Sequence, residues 1–208
     1  MNKSKLANLP TYVYIDGSNI RFACKNGLGI DLDYKKLYAY LSQKYPNLKR
    51  VVYFEGRSSD DAGKLDIFKK YRKYGYEVLS LDRKKYVEPA TFRKFRCKKC
   101  GSLNRIKTMP KTTKFKSNVD VYLCSEMMFD AMADKGEKHL VLFSCDGDYA
   151  EMIKKLCLSS PKIHITVIAT PFTKPVNFLS ARLQELREQL ADHSYKLTDI
   201  STLRDKIS

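Results

Sequence analysis

The feature that most constrains the fold is a regular alternation of short apolar runs with segments of helical periodicity. Each apolar run is hydrophobic almost throughout, which is typical of strands buried on both faces of a parallel sheet. The strand-like runs cover 11–15, 50–56, 76–81, 139–144 and 162–169, with a shorter run at 195–201, and the helical segments cover 33–45, 62–75, 118–136, 149–158 and 177–193. The alternation predicts an α/β fold, Rossmann-like in type, with a mostly parallel sheet of five or six strands and helices on both faces.

Local signals mark some helix ends and one helix side. Asp33 is a capping residue for the first helical segment, and Gly75 stops the second. In the long segment 118–136, the apolar residues that share one side of the helix are Val121, Cys124, Met128 and Met132.

Four aspartates fall where the predicted sheet would place a ligand. Asp16 follows the first strand, Asp146 and Asp148 follow the fourth, and Asp120 opens the helix after the third. The carboxyl ends of parallel strands share one edge, and ligands bind there in open α/β sheets. Neighbouring carboxylates raise one another's pKa unless a cation lies between them. We therefore expect a site for Mg²⁺ or Mn²⁺, hard divalent cations that bind through oxygen ligands.

Each aspartate also has a simpler explanation. A single Asp after a strand is most often a helix cap or a turn former. Asp148 can cap the helix that begins at Tyr149, and Asp120 can interact with the dipole of its own helix. Four independent caps that face one edge are the less economical account.

Several other catalytic patterns are absent from the sequence. It contains no GxxxxGK[ST] loop, no GxSxG elbow and no calcium-binding loop. The DGSN stretch at 16–19 lacks the second Asp of an aspartyl-phosphate enzyme. His139, His164 and His193 lie near a strand start, within a strand and at a helix end, where histidine is usually structural.

The segment 83–116 interrupts the alternation and concentrates positive charge. It holds thirteen Lys or Arg residues and one acid, Glu88, so it carries +12 of the net +16 of the chain. This bias, with a pI near 9.5, favours a nucleic acid over a membrane as partner, and over a merely solubilising surface. We expect an inserted pair of strands or a loop.

Cations in this segment are expected to contact phosphates. They are Arg93, Lys94, Arg96, Lys98, Lys99, Arg105 and Lys107. The interleaved aromatic residues are Tyr86, Phe92, Phe95 and Phe115. These rings either stack on bases or form a small satellite core, two interpretations that the sequence does not separate.

Cys97 and Cys100 form a CxxC pair followed by Gly101, which is the pattern of a zinc knuckle. A structural Zn²⁺ ion needs four ligands, and the pair supplies two. The others must come from distant residues such as Cys24 or a histidine, or from a second chain in a homodimer. The alternative is a pair without metal. A redox dithiol is disfavoured because the pair does not follow the first strand of a thioredoxin-like unit.

The remaining cysteines and the N-terminus favour a cytoplasmic location. Cys24, Cys124, Cys145 and Cys157 lie in apolar or turn contexts, which is typical of reduced thiols. The first ten residues, MNKSKLANLP, lack a hydrophobic signal core, and the apolar runs are too short to span a bilayer. We expect a single domain over 11–201, with 83–116 as an insertion, and no membrane association.

Three stretches, in this order and spacing, resemble the NYN domains of the LabA-like group, within the PIN-like nuclease superfamily. They are YVYIDGSNI (12–20), KSNVDVYLCSEMMFDAM (116–132) and VLFSCDGDYAEMI (141–153). VNFLSARLQELREQ (176–189) also resembles the segment that carries a Ser-containing helix before the last strand in those proteins. The resemblance covers about 12–201 and implies a Rossmann-like sheet with Mg²⁺- or Mn²⁺-dependent cleavage of RNA.

The resemblance also implies roles for individual residues. The metal-binding catalytic acids would be Asp16, Asp120, Asp146 and Asp148. Asn19 matches the polar residue after the first acid, which orients a metal-bound water or a phosphate. Lys116 matches a basic residue that meets a phosphate, and Ser18 and Ser144 support the edge.

One position departs from the family pattern. The family usually reads Ser-Gly-Asp-Ser-Asp where this chain reads SCDGD at 144–148. Cys145 adds a side chain beside the acids, which would slow the site or make it sensitive to oxidation. Gly147 restores a flexible residue two positions later, so Cys145 can also be tolerated.

The sequence therefore predicts a metal-dependent ribonuclease that hydrolyses phosphodiester bonds. Two alternatives stay open. An RNA-binding module of the same fold that has lost efficient cleavage would bind RNA without turnover. A phosphatase that uses the same acids on small phosphate esters would hydrolyse mononucleotides and would not need the basic segment.

Overall fold

The structure is a computed structural model that describes residues 3–58, 61–133, 135–171, 177–190 and 194–208 of the 208-residue chain. Its strands, in chain order, are β1 (Thr11–Asp16), β2 (Leu48–Arg57), β3 (Glu77–Asp82), β4 (Lys84–Glu88), β5 (Thr91–Arg96), β6 (Leu103–Met109), β7 (Thr112–Lys116), β8 (Lys138–Phe143), β9 (Ile163–Ala169) and β10 (Tyr195–Asp199). The strand limits agree with the sequence-based prediction to within a few residues for all six strands of the central sheet.

The central sheet has six strands in the order β10-β9-β8-β1-β2-β3, and every neighbouring pair in it is parallel. Every residue of β8 and β9 is buried, so helices and loops cover both faces of the sheet. The prediction of a Rossmann-like α/β fold with five or six mostly parallel strands is confirmed. Strand order reverses direction between β1 and β8, and this switch point is where open α/β sheets bind ligands.

The helices are α1 (Lys3–Asn8), α2 (Gly17–Ala23), α3 (Tyr34–Lys44), α4 (Ala62–Tyr74), α5 (Val119–Met132), α6 (Ala150–Ser159), α7 (Ala181–Gln189) and α8 (Arg204–Ile207). Asp33 caps α3 by accepting hydrogen bonds from two backbone N–H groups of the first turn. Gly75 ends α4 at φ 109°, a left-handed conformation that favours glycine. Both helix-end predictions are confirmed.

Two helical predictions differ from the structure. The predicted helix over 177–193 begins only at Ala181, and 191–193 lie outside the described residues. In α5, the side named from the sequence is largely exposed, with Val121 at 66%, Met128 at 44% and Met132 at 75%. Residues at spacings of four, Val119, Leu123, Met127 and Ala131, pack inward. Because α5 is apolar on more than one side, its periodicity does not identify the buried face.

His139 and His164 have structural contacts, as expected. They pair across β8 and β9, and both are buried. His139 Nε2 lies 2.8 Å from the Thr166 hydroxyl, and His164 Nε2 lies 2.7 Å from the Glu137 carboxylate. His193 lies outside the described residues.

The basic insertion forms an arm, defined here as residues 83–116. It contains two antiparallel ribbons, an inner one (β4 with β7) and an outer one (β5 with β6), instead of the single strand pair or loop that we expected. The ribbons are separated where Pro89 and Pro110 fall, because proline lacks the N–H that a ladder needs. The arm leaves the sheet after β3 and returns at the start of α5.

Across the described residues, we find no helix that combines the length and the apolar character needed to cross a membrane.

Candidate active site

The acidic residues meet at the carboxyl ends of β1 and β8. These strands are neighbours, and Ile15 pairs with Phe143, so Asp16 and Ser144 leave the sheet side by side. Asp120 lies in the first turn of α5, which packs on β1, β2 and β8. We expected these distant acids at one edge because the carboxyl ends of parallel strands lie on the same side of a sheet, and the sheet is parallel.

Asp16 is buried, and both of its carboxylate oxygens accept hydrogen bonds. Its Oδ1 accepts from the backbone N–H of Asn19 at 3.2 Å, which caps α2. Its Oδ2 accepts from the hydroxyls of Tyr149 at 3.1 Å and Ser144 at 3.4 Å. Burial raises the pKa of Asp16 to about 6, and the charges of Asp120 and Asp146 add to this rise, against the lowering effect of the Asn19 and Tyr149 hydrogen bonds.

Tyr149 links two of the predicted metal-binding acids. The distance from its buried hydroxyl to Asp120 Oδ1 is 3.3 Å, and the same hydroxyl contacts Asp16. Burial and the neighbouring Asp146 raise the pKa of Asp120 as well. From the sequence alone, Tyr149 was expected only to begin a helix. Its position directly after the last acid of the third motif was the available signal.

Asp146 and Asp148 lie in the loop after β8. Asp146 Oδ1 accepts from the N–H of Asp148 at 3.0 Å, and the Asp146 N–H donates to Ser144 Oγ at 3.1 Å. The exposed Asp148 carboxylate lies 3.8 Å from the Arg182 guanidinium. Asp16 and Asp146 are thus caps as well as members of the acidic group, so the two interpretations of these residues are compatible.

Close packing explains why glycine occupies position 147, which the sequence did not indicate. A Cβ at this position would lie 2.1 Å from Ser180 Oγ. Ser180 also donates its backbone N–H to the carbonyl of Cys145 at 3.0 Å. The segment before α7 therefore supports the acidic loop, and only glycine fits between them.

The side chain of Cys145 packs against Thr170. Its buried Sγ lies 3.3 Å from the Thr170 hydroxyl and accepts from the Thr170 N–H at 3.4 Å. Its backbone N–H donates to Asn19 Oδ1 at 2.8 Å, so Asn19 ties α2 to this loop. Burial raises the pKa of the Cys145 thiol, which disfavours the reactive thiolate. The structure therefore gives no support to the expectation that Cys145 sensitises the site to oxidation.

One cleft joins the acids to the base of the arm. It has a volume of about 500 Å³, and its walls include Asp16, Ser18, Asp120, Arg83, Phe115 and Lys116. At Gly56, near the end of β2, an added Cβ would lie 2.1 Å from Ser117 Oγ, so this glycine lets the arm approach the sheet edge. Lys116 and Ser18, both predicted to belong to the site, line this cleft.

The other predicted RNA-binding cations lie farther out along the arm. Arg93, Lys94, Arg96, Arg105 and Lys107 belong to the outer ribbon, and Lys98 and Lys99 to the turn at its tip. All seven are exposed. The four aromatic residues of the arm are also exposed, between 42% and 55%, so they do not form a satellite core.

The CxxC pair forms a tight turn at the arm tip. The backbone carbonyl of Cys97 accepts from the Gly101 N–H at 2.9 Å, and the backbone N–H of Cys97 donates to the Ser102 carbonyl at 2.8 Å. Gly101 has φ 72°. Hydrogen bonds from Ser102 lower the pKa of Cys100. Within the described residues, no group of three or more His, Cys, Asp or Glu side chains is arranged to hold a metal ion. The tip is therefore at most half of a zinc site.

The absence of a preformed metal-binding group among the described residues also applies to the acidic edge. No three acids among the described residues form a ready-made cage there. A cage is not what Mg²⁺ requires, since this ion usually keeps several waters and binds one or two carboxylates together with substrate phosphates. Asp16 and Asp120 supply two carboxylates that contact the same Tyr149 hydroxyl. Their pKa values are raised mainly by burial and further by neighbouring carboxylates, and a bound cation would offset both effects. The donor set fits Mg²⁺ or Mn²⁺.

A buried ion network next to the site was missed by the sequence analysis. Glu55, on β2, is 1% exposed and lies 2.7 Å from Arg21 of α2 and 2.6 Å from Lys64 of α4. Tyr53 also donates to it. Burial alone would raise the pKa of Glu55, but these partners lower it to about 2. The network fixes α2, which is capped by Asp16 and carries Asn19 in its first turn, against the sheet.

Fold and site together define a class: Rossmann-like α/β proteins of the PIN-like type, with an acidic cluster at the switch point of a parallel sheet. The model of the NYN domain family matches residues 10–182. The chain therefore belongs to the NYN domain family, whose members are nuclease-like ribonucleases.

Two solved structures were found to align with this chain, and the first has a similar fold. A protein of unknown function, VPA0982 from Vibrio parahaemolyticus, aligns with a TM-score of 0.62 and 15% identity, covering 97% of this chain and 98% of that one. Phosphofructokinase-2 from Escherichia coli, in complex with potassium, gives a TM-score of 0.34 and 10% identity over 66% of this chain and 41% of its own, too low to carry an argument. No curated protein matches the chain.

Proposed function

We propose that this protein is a metal-dependent ribonuclease of the LabA-like group of NYN domains, acting in the cytoplasm. The observation that carries the proposal is the shared cleft. Asp16 and Asp120, whose pKa values are raised, form one part of its wall, and Arg83 and Lys116 at the base of the arm form another. An acidic cluster that binds a cation, next to basic residues that bind phosphate, is the arrangement needed for hydrolysis of a polyanion.

The residues of the chain have separate tasks in this proposal. Asp16 and Asp120 are the principal ligands for Mg²⁺ or Mn²⁺, and Asp146 and Asp148 complete the negative potential of the edge. When bound, the ion activates a water molecule and stabilises negative charge on the phosphate oxygens. Lys116 and Arg83 hold the phosphate of the scissile region in the cleft.

Three further residues position the acids. Tyr149 holds Asp16 and Asp120 through one hydroxyl, and Ser144 donates to Asp16. The side-chain oxygen of Asn19 is occupied by the Cys145 N–H, so Asn19 orients the loop first. We therefore assign Asn19 a positioning role, and its amide nitrogen remains available to donate to a water or a phosphate.

The test is a cleavage assay on single-stranded and structured RNA with Mn²⁺, with EDTA, and with an Asp146→Asn variant. We expect cleavage with Mn²⁺, none with EDTA, and a loss of about 10- to 100-fold in the variant. Asp199→Asn is a matched control, because Asp199 also ends a strand and caps a turn through Ser201, but lies on β10, three strands away from β1. Equal activity of Asp146→Asn and the wild type would refute the assignment.

The same assay separates the two alternatives. RNA that binds but is not cleaved under any metal condition would favour a binding module. Hydrolysis of mononucleotides at the rate of RNA would favour a phosphatase.

For the arm tip, we propose a structural Zn²⁺ shared by two copies of the chain. Cys97 and Cys100 supply two thiolates, and a second tip would complete the tetrahedron. Native mass spectrometry should then find a dimer with one zinc ion per two chains, and Cys100→Ser should remove both. A monomer that contains no zinc would contradict this.

A further inference from the structure

Strand pairing gives the arm two chemically different faces. In an antiparallel ribbon, directly paired residues share a face and successive residues alternate between faces. In the outer ribbon, one face carries Phe92, Lys94, Arg96, Leu103, Arg105 and Lys107. The opposite face carries Arg93, Phe95, Asn104 and Ile106.

The inner ribbon is divided in the same way. One face carries Lys84, Tyr86, Glu88, Thr112, Lys114 and Lys116, and the other carries Lys85, Val87, Thr113 and Phe115. We call the first face of each ribbon its basic face. Of the nine Lys and Arg residues in the four strands of the arm, seven lie on basic faces, and Lys85 and Arg93 lie on the opposite faces. A solubilising surface would have no reason to sort its charge by face.

The cations of the outer basic face are available to a ligand. Among the described residues, no carboxylate lies within ion-pair distance of Lys94, Arg96, Arg105 or Lys107, whereas Lys114 of the inner ribbon lies 2.8 Å from Glu88. The Arg105 guanidinium lies over the ring of Phe92, 3.7 Å from its centroid. A guanidinium that lies over an exposed ring offers a further surface on which an unpaired base can stack.

We infer that the basic faces of the arm bind single-stranded RNA that extends out of the cleft. The inference rests on the proposed function, because Lys116 both lines the cleft beside Asp16 and Asp120 and belongs to the inner basic face. Each basic face combines spaced cations with an exposed aromatic ring, Tyr86 or Phe92, which is the combination that binds a single strand through phosphates and stacked bases.

The length of the arm sets the size of the substrate. From Lys84 at the start of β4 to Arg96 at the end of β5 the chain has thirteen residues, which span about 40 Å when fully extended. A long strand that enters the cleft therefore gains contacts along the arm, and a short oligonucleotide that fills only the cleft does not. The substrate class is a single strand with an unpaired extension.

The experiment compares charge reversal on the two faces. Lys94→Glu lies on the outer basic face, and Lys85→Glu lies on the opposite face of the inner ribbon, nearer the cleft. Both variants change the net charge equally, and both sites are exposed, so the fold is kept. Binding of a long single-stranded RNA is measured in an Asp120→Asn background, where cleavage is disabled, over a series of salt concentrations.

We expect Lys94→Glu to weaken binding by about tenfold and to reduce the salt slope by about 0.7 or more, the value for one lost phosphate contact on a single strand. Lys85→Glu should change the affinity by less than about twofold. Equal losses in both variants would overturn the face assignment, as would no loss in either. Tighter binding of a duplex than of the single strand would overturn the choice of ligand.

A second readout separates this inference from the proposed function. In the background with intact acids and Mn²⁺, Lys94→Glu should slow cleavage of long RNA by a larger factor than cleavage of a short oligonucleotide. If neither RNA is cleaved by any variant, the ribonuclease proposal fails while the binding comparison still stands. If both RNAs are cleaved equally by wild type and Lys94→Glu, the arm is not a substrate surface.

Discussion

At the scale of single residues, the site depends on one phenol that serves two acids. Tyr149 donates toward Asp16 at 3.1 Å and toward Asp120 at 3.3 Å. One hydroxyl proton cannot satisfy both carboxylates at the same time, so the pair is held close while its charge is only partly compensated. That residual charge is what a cation at this edge would neutralise.

Tyr149→Phe should change the titration of the site without unfolding the protein. The Tyr149 hydrogen bond lowers the pKa of Asp16, so removing it should raise that pKa further and move the acid limb of the activity profile to higher pH. The free energy of unfolding should fall by about 1 kcal/mol, the net value of one hydrogen bond. Measurement of the pH–rate profile and of urea unfolding tests both effects.

The control for this variant is Tyr195→Phe. Its hydroxyl donates to the Leu183 carbonyl at 3.1 Å, away from the acids. It should lose stability without moving the pH–rate profile. A profile that stays fixed in Tyr149→Phe would show that the hydroxyl does not act on the acids.

The cysteines should differ sharply in reactivity. Cys145 is buried with a raised pKa, whereas Cys100 is exposed with a lowered pKa. Alkylation of the zinc-free native protein at pH 7, followed by peptide mass spectrometry, should modify Cys100 first and leave Cys145 unmodified until the protein unfolds. Early modification of Cys145, or loss of cleavage of a short oligonucleotide that follows modification at the tip, would contradict this description.

At the scale of elements, α2, β2 and α4 are joined by the ion network around Glu55. Breaking it by Glu55→Gln should lower the free energy of unfolding by about 2 kcal/mol, because one buried charge holds two cations. Asp66→Asn is the matched control, since its ion pair with Lys69 is fully exposed and should contribute nothing measurable. Chemical denaturation of both variants at neutral pH makes the comparison.

The pH dependence of this network has a definite sign. The folded-state pKa of Glu55, about 2, lies below the ordinary value of 4.5. The stabilisation is therefore complete above about pH 4.5 and is lost as the pH falls toward 2. The difference in stability between the wild type and Glu55→Gln should shrink over that range. A difference that stayed constant from pH 7 to pH 3 would show that Glu55 is not held ionised.

The helices and strands also show which parts of the fold could be predicted from the sequence. Alternating apolar runs predicted the six central strands, and Asp33 and Gly75 predicted two helix ends correctly. Segment 83–116 carries strand residues broken by Pro89 and Pro110, so no period persists across it, and its two ribbons were not predicted. The exposed side of α5 was not predicted either, because the hydrophobic periodicity of a helix that is apolar on several sides does not identify the side that packs on the sheet.

At the scale of the whole molecule, the acidic edge should make stability depend on metal and pH together. The folded-state pKa of Asp16, about 6, lies above the ordinary value of 3.8. Its contribution to stability is thus complete below about pH 4 and is lost as the pH rises through 6 in the metal-free protein. If the edge binds divalent cations as proposed, they should restore the lost stability, because a ligand that binds only the folded state stabilises it.

Mn²⁺ at about 100 times its dissociation constant should raise the melting temperature by roughly 5–10 °C at pH 7.5, since such binding is worth about 2.7 kcal/mol. The rise should be smaller at pH 5, where protons compete for Asp16. In Asp16→Asn the rise should largely disappear, and the metal-free protein should be more stable than the wild type at pH 7.5. Differential scanning calorimetry with Mn²⁺ or EDTA measures all three, and an equal rise at both pH values would contradict the role of Asp16.

The sequence by itself determined the class of fold, the edge at which Asp16, Asp120 and Asp146 meet, and the family. Hydrophobic periodicity and the alternation of strands with helices are local properties of the chain, and parallel strands bring their carboxyl ends together whatever the side chains do. Only the tertiary structure decided that Tyr149 lies between two of the acids, that Cys145 turns toward Thr170, and that the cations of the arm are sorted by face. These facts depend on side-chain direction and strand register, which long-range packing sets and no short stretch of sequence encodes.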